Sequence, residues 1–529
     1  MKKRIFAVLM VFAFAGILFA GGGQTNRGTA TGVQGIRAGS DVNLSQLMTL
    51  NYIWQTSVRD VNQTDLFARF IRERFNTIIN VTEIPGSDFG TRMSVMHAAG
   101  QVDGAFSVDH GDMPNQVVRG HLRGFSEAEL RRLVPNYVNH FARDAWPIVW
   151  ANTVYSDGLL YFLPPRRPHD VQMTWTYRAD IFERYGLTFP ETTEDLFNVL
   201  VRLRRETGMY PIMEANAGAV MWTFAGFYQA FGMPELSARE EAMVNPRTGE
   251  YVPYVYITDN YRRDLSYLNR LYANDLMWPE FATATGEQRN SMQARGHSYV
   301  RWRYPGNFDV QDNPMSRQEN PNARWDWSRN LISENPANGF FFRRDPFFAS
   351  NGPGFGADIS DAALERFLYI LNWFYSDEGI VFNTYGIENV HFTRQGNNYV
   401  YMPHMTNPNS PQGLTLENYG WVGGLSAIHP NRNEFYSPIF GEIRDAFVGR
   451  PNFYFHISPV YGFTVQETTM LADVLPPVNQ ARNEYFARFI MGHLNVNSDA
   501  EWQSYLNALN QLGVQRVLET RRAAWQRVN

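Results

Sequence analysis

The chain has 529 residues, of which 44% are apolar, 15% aromatic and 19% charged, and this composition excludes an intrinsically disordered protein. Because a single hydrophobic core stops growing near ~250–300 residues, we expect two large lobes. The net charge of −5 has the wrong sign for a nucleic-acid-binding protein, and the absence of cysteine excludes disulfide frameworks and thiolate metal sites.

The first 20 residues predict a secretory signal peptide. Met1–Arg4 is cationic, Ile5–Phe19 is apolar apart from Gly16, and Ala20 precedes three glycines. The apolar run is shorter than the ~20 residues that a membrane-spanning helix needs. We therefore expect cleavage after Ala20 and a soluble, periplasmic or otherwise extracytoplasmic protein.

The residues around the predicted cleavage site bear on membrane attachment. Leu18–Gly21 resembles a bacterial lipoprotein box without its cysteine, so no lipid anchor is expected. Residues 21–40 are rich in glycine and polar residues and are predicted to form a flexible leader.

The next segment alternates predicted strands with predicted helices. Apolar runs predict strands at Leu47–Trp54, Asn80–Ile84 and Gly104–Val108, and helical spacing predicts helices at Thr64–Phe75 and Met93–Ala99. Strands that alternate with helices form a parallel sheet covered by helices.

A crossing between lobes is predicted after Leu159–Leu163, where prolines must end the strand. A new strand, Val171–Tyr177, leads into the helix Ala179–Tyr185. Apolar stripes predict further helices at 194–207, 265–272, 364–375 and 498–509. Residues 383–449 lack periodicity and are predicted to be an irregular insertion.

Motifs of catalysis and of metal or cofactor binding are absent. A lysine-dependent phosphate loop is impossible because no lysine follows Lys3, and there is no His-Glu-x-x-His motif. Asp309–Asn313 has carboxylates at i and i+3 but lacks the glycine and the terminal glutamate of a calcium loop, so we interpret it as a solvated turn. The sequence therefore predicts no enzyme, no metal and no cofactor.

The aromatic residues are the positive signal for binding. The 13 tryptophans and 27 tyrosines need partners for their N–H and O–H groups, and several stand where a predicted strand ends. Ligands of open α/β sheets bind beyond the carboxyl ends of the strands. The predicted ligand-binding residues are Trp54, Asp109, Trp175, Arg178, Trp222 and Trp302.

An indole ring beside a guanidinium or a carboxylate suits a sugar. The C–H face of the sugar packs on the ring while its hydroxyls take hydrogen bonds. Buried packing is the alternative role for each ring taken singly, but as a group we expect at least two of them to line a cleft.

The chain resembles a known family through a series of short segments in a fixed order. The resemblance is to the family 1 extracellular solute-binding proteins of bacterial ABC importers, the class that contains maltose-binding protein, and in particular to its long oligosaccharide-type branch. The similar segments are Tyr155–Pro164, Arg178–Asp180 before Gly186-Leu187, Pro190–Leu196, Phe374–Gly379 followed by Tyr385–Glu388, and Trp502–Leu506 with Gly513. The chain departs from the family pattern in the lipobox cysteine and in Gly111–Asn115, which ends in asparagine.

The resemblance implies a two-lobed α/β fold, each lobe a mainly parallel sheet flanked by helices, with a ligand cleft at the hinge. Lobe 1 is expected to comprise residues 41–165 and about 346–445, and lobe 2 residues 166–345 and about 446–529. It also implies a monomer that delivers an oligosaccharide to a membrane permease.

Two alternatives stay open at this point. A secreted carbohydrate-active enzyme would carry two carboxylates ~5–10 Å apart across its cleft. A periplasmic sensor or binding subunit for a non-sugar ligand would have the same cleft but a different ligand or partner.

Overall fold

The computed structural model describes most of the chain between residues 35 and 527. The described residues are 35–56, 66–85, 88–109, 112–141, 146–155, 157–165, 173–213, 222–233, 241–303, 312–318, 320–338, 340–343, 351–396, 398–405, 442–443, 446–447, 450, 453–456, 459 and 461–527. The predicted signal peptide and most of the predicted leader lie outside them, as does most of the second half of the predicted insertion.

The strands and helices are numbered here in chain order. The strands are β1 Met48–Thr56, β2 Thr77–Pro85, β3 Ala105–Asp109, β4 Thr174–Arg178, β5 Met243–Val244, β6 Tyr251–Val252, β7 Val300–Arg303, β8 Trp325–Trp327, β9 Phe340–Arg343, β10 Asn351–Phe355, β11 Phe392–Gln395, β12 Asn398–Tyr401 and β13 Phe453–His456. The helices are α1 Leu66–Phe75, α2 Phe89–Ala98, α3 Met113–Val118, α4 Glu127–Leu133, α5 Pro135–Phe141, α6 Trp146–Thr153, α7 Ala179–Arg184, α8 Thr193–Thr207, α9 Trp222–Ala230, α10 Asp259–Ala273, α11 Gly286–Ala294, α12 Asn313–Ser316, α13 Asp361–Phe374, α14 Asp377–Tyr385, α15 Val465–Ile490, α16 Asp499–Gln511 and α17 Val514–Gln526.

The first sheet has four strands in the order β10-β3-β1-β2. Strands β1, β2 and β3 are parallel, and β10 joins β3 in the antiparallel direction. Alternate residues of β1 face opposite sides, so that Tyr52 packs in one hydrophobic cluster and Ile53 in another. The predicted alternation of strands and helices is confirmed here. Strand β3 follows a close approach at Gly104, where a Cβ atom would lie 2.1 Å from the carbonyl oxygen of Asn51.

The second sheet has three strands in the order β7-β4-β8, and both pairings are antiparallel. The expectation of a mainly parallel sheet in each lobe is therefore wrong for this sheet. Helices α7 to α11 separate β4 from β7 along the chain, so the strand–helix pattern around β4 does not fix the direction of the strands that return to it.

The described hydrophobic side chains form two large cores. The first core contains residues between Ile36 and Leu163 and between Phe355 and Met405. The second core contains residues between Met173 and Ile332 and between Ile443 and Val517. Strands β9 and β13 pair in parallel. Strand β9 stands where the chain passes from the second core to the first, whereas β13 follows Phe447 of the second core.

The end of the predicted leader is part of the first core. Ile36 is only 2% exposed, and the backbone N–H of Arg37 donates to the Glu365 carboxylate over 2.8 Å. Arg132 donates to the carbonyl oxygen of Ile36 over 2.6 Å. The prediction of a flexible leader is therefore wrong for these residues, because an apolar side chain among the polar ones gives the segment something to bury.

The helices of the described part of the chain lack the features of a membrane span. None of them combines enough length with enough apolar character to cross a bilayer.

Candidate ligand-binding site

Two of the predicted site residues meet at one edge of the first sheet. The parallel strands β1, β2 and β3 all end at this edge, where Trp54 and Asp109 lie near the ends of β1 and β3. Trp54 is half-buried against the first core, and Asp109 is half-buried as well. Side chains alternate between the two faces along each strand, and Tyr52 and Ala105 face the first core. Trp54 follows Tyr52 by two residues and Asp109 follows Ala105 by four, so both lie on that same face.

Hydrogen bonds tie the two strands together just before this edge. The backbone N–H of Gln55 donates to Ser107 Oγ over 3.1 Å. Burial raises the pKa of Tyr52 to about 12, against the opposing effect of its hydrogen bond with Ser107, so the Tyr52 hydroxyl stays protonated. The strands that carry Trp54 and Asp109 are therefore fixed relative to each other.

Glu83 belongs to the same edge, and sequence reasoning missed it. It pairs in register with Trp54 on the parallel strand β2, and Ile79 and Val81 on the same face pack in or against the first core. Glu83 is half-buried. The sequence itself indicates this position, since Asn80–Ile84 is a predicted strand and Glu83 stands near its carboxyl end.

Trp175 and Trp302 lie inside the second core instead of lining a cleft. Each is only 1% exposed, and their ring centroids are 5.4 Å apart. Gly226 of α9 makes room for the second ring, because a Cβ atom there would lie 2.8 Å from Trp302 Cγ. The prediction that these two rings bind ligand is wrong for this conformation, and the alternative of buried packing is correct.

Arg178 is also buried, with 3% exposure, and it is bound to a carboxylate of its own chain. Its Nε and Nη2 donate to Asp180 Oδ1 and Oδ2 over 2.8 and 2.7 Å. Burial alone would raise the pKa of Asp180, but the hydrogen bonds and charge of Arg178 outweigh it and lower that pKa. The prediction of a ligand contact is replaced by a structural ion pair at the start of α7.

Trp222 is the first residue of α9, and its side chain lies outside the described part of the structure. Its predicted role in binding therefore stays a prediction.

Asp312, from the segment interpreted as a solvated turn, is 1% exposed and forms part of a charged network. It accepts a hydrogen bond from Arg301 over 2.6 Å and lies 3.1 Å from Arg303 Nε. The interpretation as a solvated turn is wrong for this residue, because two arginines from β7 neutralise its charge inside the protein. Among the described residues, no cluster of histidine and carboxylate groups is suited to hold a metal ion.

Helix α3 begins one turn after Asp109, and a pair of histidines packs beside its far end. The rings of His97 and His121 are parallel, with centroids 3.7 Å apart. His121 Nδ1 is 2.8 Å from Gln116 Oε1, and the Gln116 amide donates to Asp112, the N-cap residue of α3. Helix α3 also contacts α15, a helix whose apolar side chains belong to the second core.

A polar pocket of about 150 Å³, partly open to solvent, lies on the surface of the second core. Its lining includes Asn245, Arg263 and Glu334, and Arg263 pairs with Glu334 over 3.2 Å. None of the six predicted site residues lines it. The edge formed by Glu83, Trp54 and Asp109 is therefore the better candidate for a sugar-binding surface, since its half-buried indole is level with the Glu83 carboxylate on the neighbouring strand.

No family model matches the sequence, and a search of curated proteins gives no match either. Solved structures do match. The alginate-binding protein AlgQ2 without calcium ion is 14% identical, with a TM-score of 0.74 over 91% of this chain and 98% of that one.

Two further structures show the same likeness. An extracellular solute-binding protein from Bifidobacterium longum subsp. infantis is 14% identical, with a TM-score of 0.65 over 93% of this chain and 99% of that one. The S. pneumoniae ABC-transporter substrate binding protein FusA in complex with kestose is 16% identical, with a TM-score of 0.64 over 90% and 99%. The chain therefore has the α/β fold of extracellular solute-binding proteins of ABC transporters.

Proposed function

We propose that this chain is an extracytoplasmic solute-binding protein that captures an oligosaccharide and delivers it to an ABC importer. The observation that carries the proposal is the fold, because structures named for binding alginate, kestose and N-glycans match it over about nine-tenths of its length. The edge at Trp54 adds a local reason, since a half-buried indole beside carboxylates can pack on a sugar and accept hydrogen bonds from its hydroxyls.

The proposed mechanism is closure of two lobes around the ligand. Lobe 1 contains the first core and lobe 2 the second, with boundaries near residues 165, 345 and 445, and β9 with β13 forms part of the hinge. A ligand that touches both lobes only in the closed state shifts the population by its difference in affinity for the two states. The closed protein is then the form that a permease recognises.

The same proposal covers the finer predictions on location and partners. The protein is secreted through its signal peptide, carries no lipid anchor, acts as a monomer and binds no nucleic acid. The proposal also takes it to be a binding protein and not an enzyme, because the solved structures that share its fold are named as binding proteins.

Calorimetry with a panel of oligosaccharides tests the proposal. We expect at least one ligand to bind with micromolar or tighter affinity and to be recovered chemically unchanged. Trp54→Ala should weaken that binding at least tenfold, a loss of ~1.4 kcal/mol. Trp373→Ala is the matched control, since this half-buried ring also packs against the first core but lies at the other end of the sheet, 5.3 Å from Phe75.

Lobe closure can be followed separately because the chain has no native cysteine. Cysteines introduced at the exposed positions Val118 and Val201, one near each core, accept a donor and an acceptor dye. Energy transfer between the dyes should change when the ligand found by calorimetry is added. A bound ligand that is hydrolysed, or one that leaves the distance between the dyes unchanged, would contradict the proposal.

A further inference from the structure

Glu83, Trp54 and Asp109 form a row across three neighbouring strands. The register pairs Trp54 with Glu83 on one side, while on the other side β3 ends in Asp109. Tyr52 pairs with Ala105, so Ser107 is level with Trp54 and Asp109 lies two residues further along β3. With ~4.8 Å between adjacent strands and ~3.3 Å per residue, the backbone positions of Glu83 and Asp109 are ~12 Å apart, on either side of β1. All three side chains lie on the face of the sheet that carries the first core.

We propose that Glu83 is a specificity-determining residue of this site, one that admits neutral and amino-bearing sugars beside Trp54 and rejects uronic acids. The inference rests on the proposed function and adds the class of oligosaccharide that the site takes.

The chemistry of the row gives the reason. A sugar that packs on the indole presents its hydroxyls at the rim of the ring, where the Glu83 and Asp109 carboxylates can accept hydrogen bonds. An amino group at the same rim gains charge-assisted hydrogen bonds and attraction to the ring face. The carboxylate of a uronic acid meets the like charge of Glu83 beside the ring and that of Asp109 further along β3, in a cleft where closure weakens the screening by water.

The net charge of the whole chain also disfavours an anionic sugar. The balance is −5, and it becomes −8 once Lys2, Lys3 and Arg4 are left out, because 44 basic and 52 acidic residues remain. A negative protein slows the approach of an anionic ligand. The likeness to an alginate-binding protein is a likeness of fold and does not extend to the ligand.

Glu83→Gln tests the inference because it removes the charge and keeps the size and hydrogen-bonding capacity of the side chain. Calorimetry at low ionic strength compares cello-oligosaccharide, chitosan oligosaccharide and oligogalacturonate of equal length on the parent and on the variant. For the parent, we expect oligogalacturonate to bind at least tenfold more weakly than the better of the other two. In Glu83→Gln, the ratio of these two affinities should fall at least fivefold, mainly because oligogalacturonate binds more tightly.

Glu378→Gln is the matched control. Glu378 is 62% exposed and pairs with Arg74 at the other end of the sheet, so its neutralisation should leave the ratio unchanged. Equal binding of oligogalacturonate and cello-oligosaccharide by the parent, or an unchanged ratio in Glu83→Gln, would overturn the inference and leave the proposed function intact. If the parent binds no member of a broad oligosaccharide panel, the proposed function itself fails, and this inference fails with it.

Discussion

The two sheets of this protein carry similar residues near their strand ends and use them in opposite ways. In the parallel part of the first sheet, Trp54 lies half-buried at an edge where three strands stop together. In the antiparallel second sheet, Trp175, Trp302 and Trp325 are each at most 2% exposed. We therefore expect a tryptophan near a strand end to bind ligand only where the edge stays open, as it does at Trp54.

Buried ion pairs are found in the second region, where exposed pairs such as Arg270–Glu194 also occur. The ion pairs Arg74–Glu378 and Arg123–Asp361 of the first region leave at least one side chain more than half exposed. In the second region, Asp312 with Arg301 and Glu241 with Arg521 are almost completely buried. We therefore expect substitutions in the second region to affect stability, and substitutions at the open edge of the first to affect binding.

The largest expected effect comes from emptying the second core. Trp302→Ala should lower the free energy of unfolding by ~3–5 kcal/mol, because the ring fills a site bounded by Trp175 and Gly226. Ligand affinity should be unchanged at temperatures where the variant is folded. Chemical denaturation measures the stability of Trp302→Ala and Trp54→Ala, and calorimetry measures their ligand affinity. If Trp54→Ala loses as much stability as Trp302→Ala, the two sheets do not differ in how they use their tryptophans.

Removal of a buried charge should come next. Asp312→Ala leaves Arg301 without its carboxylate in a site where the arginine side chain is only 3% exposed, and such a loss costs ~3–5 kcal/mol. Asp361→Ala is the control from the first region, since this carboxylate is 69% exposed and its pair with Arg123 is worth less than ~1 kcal/mol. Comparable losses in the two variants, measured as unfolding midpoints in urea, would show that burial does not separate the regions.

A smaller effect is expected at Asp264 of α10, whose carboxylate is completely buried. Within the described structure neither of its oxygens has a hydrogen-bond partner, and burial raises its pKa well above the usual range. A raised pKa in the folded state means that stability is present below pH ~4 and is lost as the pH rises through the folded pKa.

Asp264→Asn should abolish the loss of stability at rising pH, because an amide does not ionise. The variant should match the parent near pH 4 and exceed its stability by more than ~1 kcal/mol at pH 8. Asp358→Asn, at an exposed position, should follow the parent at every pH. Thermal unfolding between pH 4 and pH 8 measures the difference, and a constant offset between Asp264→Asn and the parent would show that this group does not titrate with folding.

The sequence predicts the first sheet better than the second. Apolar runs at Leu47–Trp54 and Gly104–Val108, separated by helical stripes, are sufficient to predict parallel strands and the edge at which Trp54 and Asp109 meet. Strands β1, β2 and β3 are close together along the chain, so local patterns carry the information for their pairing, whereas β10 joins β3 from a distant part of the chain.

The second sheet depends on contacts between distant parts of the chain. The burial of Trp302 depends on Gly226, and that of Arg178 on strands β7 and β8, which return after long intervals. Asp312 follows a segment with the composition of a turn, yet two arginines of β7 bury it. Periodicity cannot report such partners, which is why the sequence interpretation assigned these residues to solvent or ligand.

The smallest predicted effect is a pH dependence that runs opposite to that of Asp264. Burial, followed by the positive charges of His121 and Arg119, lowers the pKa of His97 to about 4, and Asp112 opposes the shift only in part. The folded protein then binds fewer protons than the unfolded chain between pH ~6.5 and pH 4, so the first region loses stability as the pH falls through this window.

His97→Phe preserves a ring to pack on His121 but cannot take up a proton. Its thermal unfolding temperature should fall less steeply than that of the parent between pH 6.5 and pH 4, whereas His493→Gln, at an exposed position, should leave the slope unchanged. Together, Asp264→Asn and His97→Phe assign the loss of stability at high pH to the second region and the loss at low pH to the first. If His97→Phe retains the acid slope of the parent, the stacked pair does not set it, and exposed carboxylates of either region become the source to test.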